Sequence, residues 1–398
     1  MKEWMKILVT FVVCLGILAG ASFQTDFWTR ETGENHIHVG FVYSEDESTP
    51  YTYNFVLAQH NLEKMYRSEV EVFSRSNVLA RDAEEPIREL IRLGCNIIFF
   101  NLDSDITVKL AAEFPLVQFC QVSLDTIDIT QTPENYHTFN GEIYQARYAA
   151  GVAAGMKLRQ LLDEGTIQPS EALVGYVGAN DSAEVISGFT AFFLGIRSEA
   201  PEAVMRVKYT NSWSNYNLEK LRTRELIDEG CIIISQHTNT IAPAVACEQA
   251  AGEGRRVYYV GYHQTMMDVA PSSAILSIRT NWTPYIEGAV EAVLKEKTIE
   301  SMVAGHVHGR DISSGFDGNW VQLLEVNQFL AAPGTEEKLN QTVRAFQKGK
   351  VDVFKGNYTG VNPDDPQDTI DLKKGYAECG TSSSPSFRYI LKDCITVE

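Results

Sequence analysis

Short apolar runs alternate with amphipathic stretches along this chain, and the order occurs twice. Ile37 to Tyr43 is apolar and rich in branched residues, the pattern of a buried parallel strand. Pro86, Ile87, Leu90, Ile91 and Gly94 then predict a helix. Proline suits its first turn, the apolar residues share one face, and glycine ends it. Asn96 to Phe100 reads as the next buried strand. The second pass runs Leu173 to Val177, a helix near Leu218 to Asp228, then Ile232 to Ile234. Further strands are expected at Leu116 to Val122, Val257 to Gly261, Ala274 to Ile278 and Phe387 to Leu391.

The two passes also share residues. Val39-Gly40-Phe41-Val42 recurs as Val174-Gly175-Tyr176-Val177, and Arg88-Glu89-Leu90-Ile91 as Arg224-Glu225-Leu226-Ile227. Both matches lie about 135 residues apart. Two similar α/β units follow, each a parallel sheet flanked by helices. Two such lobes leave a cleft where a small ligand can sit. In open parallel sheets that place lies beyond the carboxyl ends of the strands. The Ala/Gly-rich stretch Tyr144 to Gly155 reads as a helix packed closely on its neighbours.

Composition narrows the function. The chain has 398 residues, enough for two lobes, with 44% hydrophobic residues and a formal net charge of −18. Its basic residues do not cluster, which excludes a nucleic-acid-binding face. Lys2 and Lys6, the apolar stretch Ile7 to Leu18 and Ala19-Gly20-Ala21 read as a signal peptide over residues 1–21, or as a retained anchor. The protein is therefore expected outside the cytoplasm, in the periplasm or on the extracellular face of the membrane. Of seven cysteines, Cys95 and Cys231 open equivalent strands and read as core residues. Cys379 and Cys394 fit either a disulfide or free thiols.

Candidate chemistry concentrates after the strands of the second unit. Thr210-Asn211-Ser212-Trp213, Ser235-Gln236-His237-Thr238-Asn239, Gly261-Tyr262-His263 and Asn281-Trp282-Thr283-Pro284-Tyr285 supply aromatic planes and neutral hydrogen-bonding groups with almost no charge. That set suits a flat, polar, uncharged heterocycle. The loop after the first strand would add Tyr43, Tyr51 and Tyr53. No G-x-S-x-G, H-E-x-x-H, G-x-G-x-x-G or C-x-x-C occurs, so an enzyme and a nucleotide-phosphate site are not expected. His36 with His38, and His306 with His308, have the H-x-H spacing of metal ligands, but no third ligand stands near either pair in sequence. Neither a metal nor a cofactor is expected.

At these residues the chain resembles the basic membrane protein family of bacterial solute-binding proteins, receptors of ABC importers for purine nucleosides and bases. The matching stretches are IYQARYAAGVAAG (143–155), EVISGFTAFFLGIRS (184–198), TNSW (210–213), ISQHTN (234–239), VGYHQTM (260–266), NWTPY (281–285) and SSSPSFRYILKD (382–393). The resemblance implies a type I periplasmic-binding-protein fold, with two Rossmann-like lobes and an interlobe cleft. It places one lobe at 36–138 plus 283–318 and the other at 139–282 plus 319–398. It further implies a non-catalytic monomer that captures a purine base or nucleoside for an ABC permease in the membrane. A purine sensor would share the fold. Trp213 would stack on the base, with Gln236 and Asn239 reading its edge. The Asp-rich ribose motif of nucleoside binders is replaced here by Gly261-Tyr262-His263-Gln264-Thr265. Tyr51 stands where relatives carry Trp, and Asn239 where many carry Asp. The usual lipoprotein cysteine is missing.

Overall fold

The computed structural model describes residues 36–125 and 127–398. The segment read as a signal peptide or anchor lies outside them. Among the described residues no helix is long and apolar enough to cross a membrane.

The first unit runs β1 (Ile37–Val42), α1 (Pro50–Met65), β2 (Val70–Arg75), α2 (Glu84–Arg92), β3 (Cys95–Phe100), α3 (Asp105–Glu113), β4 (Gln118–Val122) and β5 (Tyr136–Gly141). The second runs α4 (Ile143–Asp163), β6 (Leu173–Gly178), α5 (Ala183–Glu199), β7 (Val204–Tyr209), α6 (Tyr216–Asp228), β8 (Ile233–His237), α7 (Ala242–Gly252), β9 (Tyr258–Tyr262) and β10 (Ala274–Thr280). The chain then returns to the first unit through α8 (Thr283–Leu294), α9 (Ile299–Met302), β11 (His306–His308) and β12 (Asp311–Ser314). It ends on the second with β13 (Val321–Leu323), α10 (Thr335–Phe346), β14 (Thr359–Val361), β15 (Thr369–Asp371), β16 (Ile390–Leu391) and β17 (Ile395–Val397).

Two seven-stranded sheets result, in the orders β11-β12-β5-β4-β3-β1-β2 and β13-β10-β9-β8-β6-β7-β17. All their pairings are parallel except the edge pairs β11–β12 and β10–β13. Both orders place β1 or β6 inside the sheet, so each sheet has a switch point where consecutive connections leave in opposite directions. The chain crosses between lobes after β5, after β10 and after β12. The first sheet reaches Gly141, three residues beyond the lobe boundary expected from sequence, because the β5–β12 pairing continues to Gly141 opposite Ser314.

Helices cover both faces of each sheet because their central strands are buried from end to end. The Ala/Gly stretch does form a helix, and it crosses α5 at close range. A Cβ placed on Gly151 would lie 2.0 Å from the Phe192 carbonyl oxygen, and one on Gly155 2.4 Å from that of Ile196. Backbone leaves no rotamer escape. Gly151→Ala should therefore destabilise the fold by at least the ~1–3 kcal/mol typical of overpacking. A thermal melt matching wild type would contradict this helix contact.

The tail departs from expectation. Only Ile390–Leu391 of the segment from Phe387 to Leu391 is strand, and Ile395–Val397 adds itself in parallel to β7. Ser383 and Ser384 are instead spent on tethering. The Ser383 amide donates to Asp311 Oδ2 at 2.6 Å, and Ser384 Oγ to the Asp125 carbonyl at 2.8 Å. Cys379 and Cys394 are free, as are the other four described cysteines.

Candidate functional site

A cavity of about 480 Å³ opens between the two sheets. Its first-lobe wall comes from residues just past the strands: Ser44 and Glu45 after β1, Val78 to Ala80 after β2, Asn101 to Asp103 after β3, and Leu124 after β4. Its second-lobe wall is Glu184 at the start of α5, Ser212 to Ser214 after β7, His237 and Asn239 at the end of β8, and Tyr262 and His263 at the end of β9. Both walls are carboxyl ends of parallel strands, where ligands of such folds sit. The size suits a small molecule.

Five of the nine residues expected at the site line this cavity: Tyr51, Trp213, Asn239, Tyr262 and His263. The four aromatic ones join with His237 in a connected wall. Trp213 meets His237 edge-on at 5.9 Å, His237 meets Tyr262 at 5.1 Å, and Tyr262 stacks on His263 at 3.5 Å. Tyr51 completes the wall from the other lobe, 5.5 Å from His263. It stands on the first turn of α1 rather than in a loop, because Pro50 begins the helix there. Its hydroxyl donates to the Asn101 carbonyl at 3.1 Å.

The other four lie elsewhere. Tyr43 is buried in the first lobe and donates to Gln59 Oε1 at 2.8 Å. Tyr53 is not part of the cavity lining and is 39% exposed. Trp282 stacks on Phe55 at 4.6 Å in the first-lobe core, because the NWTPY segment is the crossover into that lobe. Gln236 is wholly buried and its amide is already used. It donates to the carbonyls of Thr238 and Thr240 at 2.9 and 2.8 Å, and accepts from the Tyr259 hydroxyl. A side chain with its hydrogen bonds filled cannot read a ligand edge without breaking them.

Asn239 keeps a partly free amide. Its Oδ1 lies 3.2 Å from His263 Nε2. Burial holds His263 neutral, its pKa well below the usual imidazole value. The ring therefore donates Nε2–H to Asn239, which leaves the Asn239 N–H donors for a ligand. His263 itself sits at φ 72°, a strained backbone, and its carbonyl accepts from Asn54 Nδ2 of the first lobe at 2.9 Å.

The lining is also more charged than the motifs suggest. Glu184 is buried, and desolvation pushes its carboxyl up to about 7 despite the opposing pull of Arg147. Its Oε1 lies 3.3 Å from Nε2 of His237, while Oε2 has no partner. His237 is held neutral by burial and by Arg147. Arg147 is fully buried behind this wall, 3.8 Å above the Tyr262 ring, and donates to the Gln236 carbonyl at 2.7 Å. Asp103 accepts from Gln121 at 2.6 Å on the opposite wall, its pKa raised mainly by burial. Arg147 stands as a lone charge in the Ala/Gly-rich run 143–155, and Glu184 opens the apolar run 185–196; that contrast is the signal that could have singled them out.

Residues 42–348 match the family described as ABC transporter substrate-binding protein PnrA-like, known as Bmp. The chain belongs to the Bmp family. It is 29% identical over 265 residues to a purine-binding protein of Brucella abortus (strain 2308), covering 66% of this chain and 70% of that one. It is 31% identical over 163 residues to a Haloferax volcanii protein named for ABC-transporter glucose binding, covering 41% of this chain but only 38% of that one. Among solved structures, an ABC-transporter solute-binding protein from Conexibacter woesei DSM 14684 superposes with a TM-score of 0.57 at 17% identity, over 79% of this chain and 97% of that one. The fold is that of type I periplasmic solute-binding proteins. Bmp proteins are extracytoplasmic receptors that deliver ligand to a membrane permease, and the family is one of binding proteins rather than enzymes.

Proposed function

We propose that this Bmp-family receptor captures a purine base, or its nucleoside, for import through its ABC permease. The observation that carries the reading is the aromatic wall of Trp213, His237, Tyr262, His263 and Tyr51 around one cavity. Flat rings stack on such surfaces. The Asn239 amide donors and the unpartnered Glu184 Oε2 provide edge groups of both kinds, a donor and an acceptor. A purine edge also presents both. The resemblance to the Brucella abortus purine-binding protein points the same way. The chain acts as an exported monomer, and the two lobes close on the ligand with no chemical step.

The carboxylates Glu45, Asp103 and Glu184 would also accept from sugar hydroxyls, and one relative is named for glucose. A thermal-shift screen separates the readings. Adenine, guanine, hypoxanthine and their nucleosides should raise the melting temperature, while glucose should not. A ligand at a hundredfold excess over its Kd stabilises by about 2.7 kcal/mol. A glucose shift without any purine shift would overturn the proposal.

A further inference from the structure

We propose that His36, His38 and Glu71 form a binding site for one divalent transition-metal ion of the zinc type. The sequence offers only two of these ligands together. The third arrives through sheet pairing, because Glu71 of β2 stands directly opposite His38 of β1. One ligand atom from each of the three residues lies within 4.8 Å of the others. His38 Nε2 is 3.3 Å from Glu71 Oε2, and His36 Nε2 is 4.0 Å from it. Two ligands at zinc distance in a tetrahedral shell are about 3.3–3.4 Å apart, so one pair already fits and the other needs only a small side-chain rotation.

The outer shell matches as well. His36 Nδ1 is bonded to the Ser68 carbonyl at 3.0 Å, and His38 Nδ1 to the Leu93 carbonyl at 2.7 Å. A carbonyl can only accept, so each ring carries its proton on Nδ1. In the neutral rings, the form that binds a metal, both Nε2 lone pairs are then available, and both nitrogens face the same carboxylate. Metal-bound histidines are held in just this way, with the far nitrogen donating to a backbone carbonyl. Two imidazoles and one carboxylate suit zinc, copper or nickel rather than calcium or magnesium, which prefer all-oxygen sites. The exposure of the three side chains, 46%, 31% and 55%, leaves room for water at the remaining positions.

The location assigns the role. β2 is the edge strand of the first sheet, and the ion would tie it to β1. The site lies at the amino end of β1, whereas the ligand cavity lies beyond its carboxyl end. Six residues of strand separate them by about 20 Å. Metal binding should therefore stabilise the first lobe without altering purine affinity.

The test uses the full chain purified without a histidine tag, stripped with EDTA and titrated with zinc chloride by calorimetry. We expect one ion per chain, a higher melting temperature with zinc, and no comparable shift with calcium or magnesium chloride. His38→Gln and Glu71→Gln should each weaken zinc binding by about tenfold or more, with metal-free melting close to wild type. His36→Gln lies outside the strands and should do the same even if a strand variant folds poorly. If zinc in excess gives no heat and no shift, the three residues are an ordinary histidine–glutamate contact and the proposal fails. It fails equally if all three variants bind zinc as wild type does.

Discussion

Trp213→Ala should cost the cleft about tenfold or more in purine affinity, with the fold intact. Stacking a base on an aromatic side chain is worth about 1–3 kcal/mol. Trp213 begins the aromatic wall that continues through His237 to Tyr262 and His263. It is half-buried on a loop after β7 and packs against the margin of the second-lobe core, outside the sheet and helices themselves. Its backbone carbonyl accepts from the Asn239 backbone N–H at 2.8 Å, and that bond survives the substitution. Titration calorimetry of both proteins, with melting curves as the control for folding, decides it. Wild-type affinity in the variant would remove Trp213 from the site.

The second large effect is on pH. Glu184 has a carboxyl pushed up to about 7 by burial, so its charge changes across the neutral range. A ligand that donates N–H to its free Oε2 selects the carboxylate. If only that form binds, the competent fraction rises from about one in eleven at pH 6 to about ten in eleven at pH 8. Purine affinity should then be about tenfold higher at pH 8 than at pH 6. The same shift acts on the empty protein with the opposite sign. A carboxyl whose folded pKa is raised above its unfolded value contributes most below that unfolded value. The unliganded fold thus loses stability as pH rises from about 4.5 to about 7. Glu184→Gln should flatten the affinity profile between pH 6 and pH 8. Asp103 faces the same cavity with a raised pKa, whereas His237 and His263 are held neutral by burial. A profile unchanged in Glu184→Gln would move the titrating group to Asp103.

Gln236 shows why a residue can lie within the right motif and still be turned away from the cavity lining. It lies on β8 one residue before His237, inside the stretch the sequence marks as the site. Side chains alternate across a strand, so adjacent residues face opposite sides. His237 faces the cavity, while Gln236 turns to Thr238, Thr240 and Tyr259. Trp282 lies off the cavity lining for another reason. The strand before it belongs to one lobe, but the residue itself is already on the crossover into the other, where Phe55 takes up its ring.

The sequence by itself determined the two βαβ units, their parallel sheets and the strand ends that face the cleft. Those features follow from local periodicity: buried parallel strands are apolar throughout, helices have one apolar face, and both patterns are complete within a few residues. It also placed Trp213, Asn239, Tyr262 and His263 at those ends. Only the tertiary structure decided which of them remain free for a ligand. Hydrogen bonding and packing by residues distant in sequence consume some polar groups and rings and leave others open. Glu184 comes against His237 across 53 positions, and Arg147 reaches the Gln236 carbonyl across 89. Glu71 meets His36 and His38 only because β1 and β2 pair in one register. Contacts of that kind are set by how sheets align and lobes cross, and no local pattern encodes them.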